Sequence, residues 1–343
     1  MSEETKLHRQ IESYKIHISG VKRFSPRTCA IYSDVLKRFE QYTGDVDPVT
    51  QTQIRNYEVH ILDEEHLKPK TANLHLSVLS SFFTFLVRSG EIKSNPVKVV
   101  RRPKVPKRLP EFYKEDEMVK YFSQTQIYAS EEFLQSFKAA FAMWRSGNKE
   151  TEAQARELYE KRLERAVVSS LANLGIRRAE LVGMNVGDLD FSRKVVSVRG
   201  KGDKMREIPV ISSLCEEILL YLDAVETMVG EKRKAEDAMF VTWSGRRIYP
   251  VFVDRIVKGD FSRISGVTGR KSPHVLRHTL ATGLLDEGTD LNSIKEMLGH
   301  ASLATTQIYT HNSIAKLRQV YESAHPRAKA PGGRASEPAE DNS

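Results

Sequence analysis

The chain has 343 residues, of which 40% are hydrophobic and 29% charged, and its formal net charge is +8. This length favours two domains, and the composition excludes a disordered or fibrous chain. The basic surplus predicts a polyanionic partner, either nucleic acid or an anionic membrane surface.

The first residues and the cysteines indicate the compartment. The polar start MSEETKLHRQ has no signal-peptide core, and no run approaches the ~18 apolar residues of a membrane span. Cys29 and Cys215 are too few for a disulfide framework in a chain of this size, which indicates thiols in a reducing compartment. We therefore expect a cytoplasmic protein whose polyanionic partner is nucleic acid.

The first part of the chain, residues 1–98, has the periodicity of helices. Ser25 and Pro26 predict a helix N-cap and first helical position, and Lys70–Gly90 predicts a helix that a glycine ends. Pro48–Leu62 gives a weaker helical signal. The predicted buried faces are Ile31, Val35 and Phe39 in one helix, and Leu74, Val78, Leu79, Phe82 and Leu86 in the other.

A basic linker is predicted at residues 99–110. The overlapping segment 98–108, KVVRRPKVPKR, holds six basic and no acidic residues, which is six of the eight net positive charges. Two prolines exclude a regular helix there. A solvated hinge and a strap over DNA phosphates both fit, and the strap is favoured because like charges repel unless something neutralises them. The expected DNA-binding residues are Lys98, Arg101, Arg102, Lys104, Lys107 and Arg108.

The second part, residues 111–328, mixes helices with a β-hairpin. Lys194–Val210 predicts the hairpin, with a Gly-Lys-Gly-Asp turn at residues 200–203. Polar residues at 126–165 predict one or two exposed helices, and residues 329–343 predict a disordered tail. Further helices are predicted over residues 116–122, 166–174, 212–229, 250–264, 273–287, 291–298, 302–309 and 314–323.

Half of the ten histidines lie between residues 274 and 325. His274, Arg277 and His278 have the i, i+3, i+4 spacing of one helix face. His274 lies in the first turn, where unpaired N–H groups favour an anion, so the cluster predicts a phosphate site. The two histidines also have the spacing of a zinc pair, which the intervening arginine disfavours. Ordinary surface or core histidines would also fit this pattern.

Three other residues lie in settings that suit chemistry. Arg177 follows Gly175 at a turn, Lys201 lies between two glycines at the hairpin tip, and Tyr309 lies in the polar segment TTQIYTH. Each has an ordinary explanation by itself, namely a surface ion pair, a solvated lysine and a half-buried tyrosine. Their order along the chain is the informative feature.

The order Gly-x-Arg, Gly-Lys-Gly, His-x-x-Arg-His, Leu-Gly-His and Tyr resembles the tyrosine recombinases, or phage integrases. SPHVLRHTLATGLLDEGTDLNSIKEMLGHASLATTQIYTH is similar to the Xer subfamily, as are SPRTCAIYSDVLKRFEQY and TANLHLSVLSSFFTFLVRSGEIKSNP. The resemblance covers about residues 8–328. It implies a mainly α fold, with a helical SAM-like core-binding domain and a mixed α/β catalytic domain containing a small β-sheet. Residues 126–160 have no counterpart of that length in a typical Xer protein, so we expect an insertion that projects from the catalytic domain.

The resemblance also implies the chemistry of a site-specific DNA recombinase. Tyr309 would attack the scissile phosphate and form a 3′-phosphotyrosine, while Arg177 and Arg277 bind its non-bridging oxygens. Lys201 would protonate the leaving 5′-oxygen, and histidines would add hydrogen bonds, without metal, cofactor or ATP. His278 and Glu180 are expected to contact and support the catalytic residues without acting on the phosphate themselves. The expected catalytic residues are Arg177, Lys201, His274, Arg277, His300 and Tyr309.

The biological role is expected to be Xer-type chromosome-dimer resolution, since no arm-binding domain is seen before residue 6. The implied partners are a double-stranded recombination site and the other subunits of a homo- or hetero-tetramer. The resemblance leaves activation by a septal DNA translocase open. A mobile-element integrase or transposase has the same chemistry and stays open. A type IB topoisomerase would share the chemistry but not the Xer-like segments, and a catalytically silent DNA-binding regulator is disfavoured by the catalytic residue types.

Overall fold

The computed structural model describes residues 5–44, 46–106, 111–200 and 204–299. The chain divides into two compact units, Met1–Arg108 and Leu109–Ser343. The exact bounds of the predicted linker and tail stay predictions, and the tail and the helices predicted over 302–309 and 314–323 lie outside the described residues. Within the described ranges, no helix combines the length and the apolar character needed to cross a bilayer.

The first unit is helical around one apolar core. Its helices are α1 (Lys6–Ile16), α2 (Pro26–Thr43), α3 (Gln51–Val59) and α4 (Pro69–Arg88). Helices α1 and α3 each continue into a π-helical turn, at His17–Val21 and His60–Glu64. In the core, the Phe39 and Tyr57 rings meet edge to face with centroids 5.0 Å apart, and both side chains are fully buried.

The predicted start of α2 is confirmed, because Ser25 Oγ accepts the Thr28 N–H at 3.2 Å and Pro26 is the first helical residue. Most of the predicted apolar faces are buried as well. Ile31 and Leu74 are exceptions, with 38% and 42% of their surface exposed. Each has helical spacing to a core residue but lies at the edge of the buried stripe, which passes through Leu36 and Leu76 instead.

The second unit combines helices with a small antiparallel sheet, so the predicted mainly α fold with a small β-sheet is confirmed. Its helices are α5 (Glu115–Gln124), α6 (Glu131–Arg145), α7 (Thr151–Leu174), α8 (Arg178–Gly183), α9 (Ser212–Val229), α10 (Pro250–Arg263), α11 (Pro273–Asp286) and α12 (Leu291–Leu298). The strands are β1 (Leu189–Asp190), β2 (Val195–Arg199) and β3 (Met205–Pro209), in the order β1-β2-β3. Strand β1 is too short to give a sequence signal.

The expectation that the segment 126–160 projects as exposed helices is wrong. Leu134, Phe137 and Phe141 of α6 are buried in the core of the second unit, and so is Tyr159 of α7. The α6 residues follow the i, i+3, i+7 spacing of one helix face, while the charged residues that dominate the composition lie on the outer faces. The helix predicted at 166–174 is the last part of the 24-residue helix α7.

The end of α7 brings the rest of the unit together. Gly175 follows α7 with φ +58°, and a Cβ there would lie 2.7 Å from Leu298 Cδ2 and 2.8 Å from Leu280 Cδ2. Glycine therefore permits both the left-handed backbone and the close approach of α11 and α12 to this turn. The turn is followed directly by α8, so the C-terminus of α12 comes to lie beside the residues that open α8.

Candidate active site

Three arginines converge on the C-terminus of α12. They donate to three successive carbonyls, those of residues 297, 298 and 299. Arg206 Nε binds the first at 2.8 Å, Arg277 Nη2 binds the second, and Arg177 Nη2 binds the third at 2.6 Å. The last carbonyls of a helix lack intrahelical partners and form the negative end of its dipole. The end of α12 therefore accepts hydrogen bonds from arginines of three distant parts of the chain.

Arg177 caps the start of α8 through its contacts with Glu180. Its backbone N–H donates to Glu180 Oε2 at 2.7 Å, and its Nη1 donates to Glu180 Oε1 at 2.7 Å. These contacts hold the backbone and the guanidinium of Arg177, while 40% of the side chain remains exposed. The guanidinium can thus meet a ligand from solvent.

Glu180, predicted as a supporting residue, lies at the centre of the cluster. Arg206 donates to both of its oxygens, from Nη2 to Oε2 at 2.8 Å and from Nη1 to Oε1 at 3.1 Å. Burial by itself would raise the pKa of Glu180, but hydrogen bonds from Arg206 and Arg177 outweigh it and hold the pKa below its usual value. Glu180 is therefore a carboxylate at neutral pH.

Arg277 is the buried arginine of the cluster, with 5% of its surface exposed. Its Nη1 donates to the Gly175 carbonyl at 2.7 Å. Burial, together with the positive charge of Arg177, lowers its pKa to about 10. It is therefore a fixed cation at neutral pH, held by two backbone carbonyls.

Burial differs between Arg277 and the two predicted histidines on α11. His274 is exposed and His278 is half-buried. Their Nε2 atoms are 3.1 Å apart and their rings meet edge to face. Positions i+3 and i+4 differ by about 100° around a helix, so Arg277 points inward while His278 does not. All three residues lie on α11 at the predicted i, i+3, i+4 spacing, and burial differs within that face.

Lys201, His300 and Tyr309 lie outside the described residues. The residues that flank two of them are described. The N–H of Gly200 donates to the Lys204 carbonyl at 2.8 Å, and a Cβ on Gly200 would lie 3.4 Å from Arg206 Nη1. Gly299 accepts from Arg177. Gly200, next to Lys201, therefore lies near Arg206, and Gly299, just before His300, is bonded to Arg177.

Arg206 is the residue of this cluster that sequence reasoning missed. In the β2–β3 register it lies opposite Val198, which is buried. Cross-strand partners in an antiparallel pair share one face of the sheet. An arginine opposite a buried valine, close to the predicted hairpin tip, was the available signal.

The structure leaves Lys98, Arg101, Arg102 and Lys104 of the basic segment exposed. Arg102 lies along α4, where its Nη1 donates to Ser77 Oγ at 2.7 Å. The side chain of Asn73 on the same helix binds the Pro103 carbonyl at 2.9 Å. Residues 102 and 103 are therefore anchored to the helical unit. Lys107 and Arg108 lie outside the described residues.

Comparisons with known proteins agree with this architecture. The family models of the phage integrase N-terminal SAM-like domain and of the phage integrase family match residues 11–90 and 151–316. The tyrosine recombinase XerC of Chlorobaculum tepidum is 31% identical over 93% of this chain and 95% of its own length. The XerC of Myxococcus xanthus is 32% identical over 94% of this chain and its whole length.

A solved structure shows the same fold. The Tn1549 transposon integrase in complex with transposon right end DNA matches 92% of this chain and 99% of its own, with a TM-score of 0.62 at 17% identity. The two family models together span most of the chain, and the XerC relatives match nearly all of it. The chain therefore belongs to the phage integrase family and is a site-specific tyrosine recombinase of the Xer type.

Proposed function

We propose that this recombinase cuts and rejoins DNA through a covalent bond between Tyr309 and the scissile phosphate, which Arg177 and Arg277 bind. The observation that carries the proposal is the charge of the arginine cluster. One buried carboxylate, Glu180, pairs with Arg177 and Arg206. Arg277 lies close enough to these two arginines for their positive charges to lower its pKa. Three guanidiniums around one carboxylate favour an incoming anion such as a phosphodiester.

The proposed step balances without an added co-reactant. The Tyr309 oxygen forms a bond to phosphorus as the bond to the 5′-oxygen breaks, which leaves a 3′-phosphotyrosine and a 5′-hydroxyl. Lys201 gives a proton to the leaving oxygen, and His274 or His300 accepts the proton of Tyr309. The phosphotyrosine conserves the energy of the phosphodiester, so attack by another 5′-hydroxyl rejoins DNA without ATP.

The two arginines are suited to different parts of phosphate binding. Arg177 is partly exposed and its guanidinium is oriented by Glu180, so its remaining N–H groups can bind a non-bridging oxygen. Arg277 is buried and rigidly bonded, so it supplies a positive charge that needs no reorganisation as the transition state forms. We assign charge stabilisation to both.

DNA binding outside the catalytic centre is assigned to the basic segment 98–108. Lys98, Arg101 and Lys104 are exposed, and Arg102 is already held along α4. Cations held on a folded surface lose little entropy when they bind phosphates. Recombination of two sites by a homo- or hetero-tetramer on double-stranded DNA is part of the same proposal.

For the cellular role, we propose chromosome-dimer resolution in the cytoplasm, with activation by a septal DNA translocase as part of the proposal. The support is the similarity to XerC proteins over almost the full chain. Deletion of the gene is expected to leave chromosome dimers unresolved. Complementation with the wild-type gene should restore resolution, and complementation with the Tyr309→Phe variant should not. Normal dimer resolution in the deletion strain would contradict this role.

A nicked duplex carrying the recombination site tests the chemistry. Cleavage next to the nick releases a short 5′-hydroxyl fragment that diffuses away, so the covalent protein–DNA adduct accumulates. We expect the adduct to form in EDTA and to be absent in Tyr309→Phe. Tyr249→Phe is the matched control, because Tyr249 is a half-exposed tyrosine of the same unit. An adduct in Tyr309→Phe, or an absolute metal requirement, would contradict the mechanism.

A further inference from the structure

We propose that Arg206 is a positioning residue, which ties the Glu180 carboxylate to the end of α12 and thereby holds Arg177 in place to bind the scissile phosphate. The inference rests on the function proposed above. It adds a residue of β3 to the catalytic machinery, although Arg206 itself touches no reacting atom.

The first argument is that every part of the Arg206 guanidinium is engaged. Two nitrogens bind the two Glu180 oxygens at 3.1 and 2.8 Å, and Nε binds the Met297 carbonyl at 2.8 Å. Only 10% of the side chain is exposed. The fork-to-fork pair fixes the rotation of the Glu180 carboxylate as well as its position.

The second argument follows the same contacts towards Arg177. The two Glu180 oxygens that Arg206 binds also accept the Arg177 backbone N–H and Nη1, each at 2.7 Å. Turning the carboxylate would therefore weaken both contacts at once. Since Arg177 also donates to the Gly299 carbonyl, Arg206 and Arg177 bind the same helix end and the same carboxylate. Arg206, Glu180, Arg177 and the end of α12 therefore form one closed hydrogen-bond network.

The third argument is that the space around Arg206 suits an arginine. A Cβ on Gly299 would lie 3.2 Å from its Cζ, and one on Gly200 would lie 3.4 Å from its Nη1. Two glycine backbones thus border the guanidinium. Lysine would keep the charge but has a single nitrogen, which cannot bind two carboxylate oxygens and a carbonyl in this planar arrangement.

The charge around Glu180 distinguishes this role from a purely structural one. Arg177 faces it from the turn before α8, Arg206 from β3 and Arg277 from α11. Burial alone would raise the pKa of Glu180, and the Arg206 hydrogen bonds are the largest opposing influence. Without them, the carboxyl group is expected to gain a proton at higher pH and to release Arg177. Activity should then fall as the pH is lowered through that raised pKa.

The test compares Arg206→Gln, Arg206→Lys and a control, Arg193→Gln. The control removes the arginine of an exposed pair, Arg193–Glu207 at 2.9 Å, which joins the start of the hairpin to β3. DNA binding and the rate of adduct formation on the nicked duplex are measured between about pH 5.5 and 8.5. We expect Arg206→Gln to bind DNA within about twofold of wild type but to react about 10- to 100-fold more slowly, since small misplacements at a reacting centre cost this much.

The pH profile and the lysine variant decide the interpretation. The Arg206→Gln rate should decline further at acid pH than the wild-type rate does, while Arg206→Lys should react slowly with a profile parallel to wild type. Arg193→Gln should match the wild type. A parallel profile for Arg206→Gln, or a wild-type rate for Arg206→Lys, would overturn the positioning role. If Arg206→Gln does not fold, the Arg206→Lys rate decides alone.

Failure of the proposed function gives a different result. A wild-type protein that forms no adduct on its site, or an adduct that Tyr309→Phe also forms, overturns the proposed chemistry and this inference with it. A wild type that reacts through Tyr309 while Arg206→Gln reacts equally fast overturns the role of Arg206 alone.

Discussion

The side chain of Arg277 donates a hydrogen bond to the backbone carbonyl of Gly175 at 2.7 Å, although 102 positions separate the two residues in the chain. The same guanidinium binds the Leu298 carbonyl at the end of α12. One buried cation therefore joins the end of α7 to the end of α12. This contact makes Arg277 a part of the fold as well as a proposed ligand of the phosphate.

Replacing Arg277 with leucine should therefore reduce both stability and cleavage. Two buried carbonyls would lose their donor, which we expect to destabilise the protein by about 2–4 kcal/mol. Arg177→Leu should reduce adduct formation to a similar degree but destabilise the fold by less than about 1 kcal/mol, since its side chain is partly exposed. Thermal unfolding and the nicked-duplex assay measure the two effects. Equal stability losses in the two variants would contradict this division.

Gly175→Ala should destabilise the second unit more than Gly230→Ala. Both glycines have positive φ, at +58° and +84°. A Cβ at Gly175 would collide with Leu298 and Leu280 below 3.0 Å, whereas nothing lies within 4 Å of one at Gly230. We expect losses of about 3 kcal/mol and about 1 kcal/mol, because overpacking adds to the backbone strain only at Gly175. Chemical denaturation of the two variants checks the ranking, and similar losses would contradict the close approach.

Asp260 predicts a pH dependence of stability. Tyr121 donates to it at 3.0 Å in a buried site, and burial, with Glu164 nearby, raises its pKa from 3.8 to about 6. Between these values the folded chain holds a proton that the unfolded chain has lost. The folded state is therefore penalised above about pH 6, and the penalty disappears as the pH falls towards 4.

Asp260→Asn should remove this penalty while keeping an oxygen for Tyr121. We compare the unfolding free energy of the variant with that of the wild type at each pH. This difference should favour the variant by roughly 2–3 kcal/mol more at about pH 8 than at about pH 4, since each pKa unit corresponds to about 1.4 kcal/mol. Denaturation at both pH values measures the difference. Asp254→Asn is the control, as Asp254 is a half-exposed carboxylate on the same helix, paired with Arg178. A difference of zero would contradict the raised pKa.

Replacing Lys98, Arg101 and Lys104 with glutamine should weaken DNA binding and reduce its salt dependence. These residues are exposed, so the fold should be unaffected. Each lost phosphate contact is expected to lower the slope of log K against log salt by about 0.9. The cleavage rate at saturating protein should change little. Lys120→Gln is the control for a lost surface charge, and an unchanged slope in the triple variant would contradict a DNA-binding role for the segment.

Much of this architecture was accessible from local patterns. Three helices of the second unit match their predicted bounds within a residue or two, namely Pro250–Arg263, Pro273–Asp286 and Leu291–Leu298. The signals that start a helix at proline and end it near glycine are local in the sequence. The error at residues 126–160 has a physical cause. A high charge content describes the outer face of a helix, whereas burial depends on the spacing of Leu134, Phe137 and Phe141. Composition alone therefore gave the wrong position for α6.

The sequence by itself determined the residue types of the site, their order and the mainly helical fold, because short motifs and helical periodicity are local properties. Tertiary structure decided which of these residues meet. It buried Arg277 while leaving His274 exposed on α11, and it added Arg206 opposite Val198 on β3. The physical reason is that the last carbonyls of α12 and the buried Glu180 carboxylate are stable only when hydrogen-bond donors reach them. Donors from distant segments can satisfy that requirement only when the chain has packed.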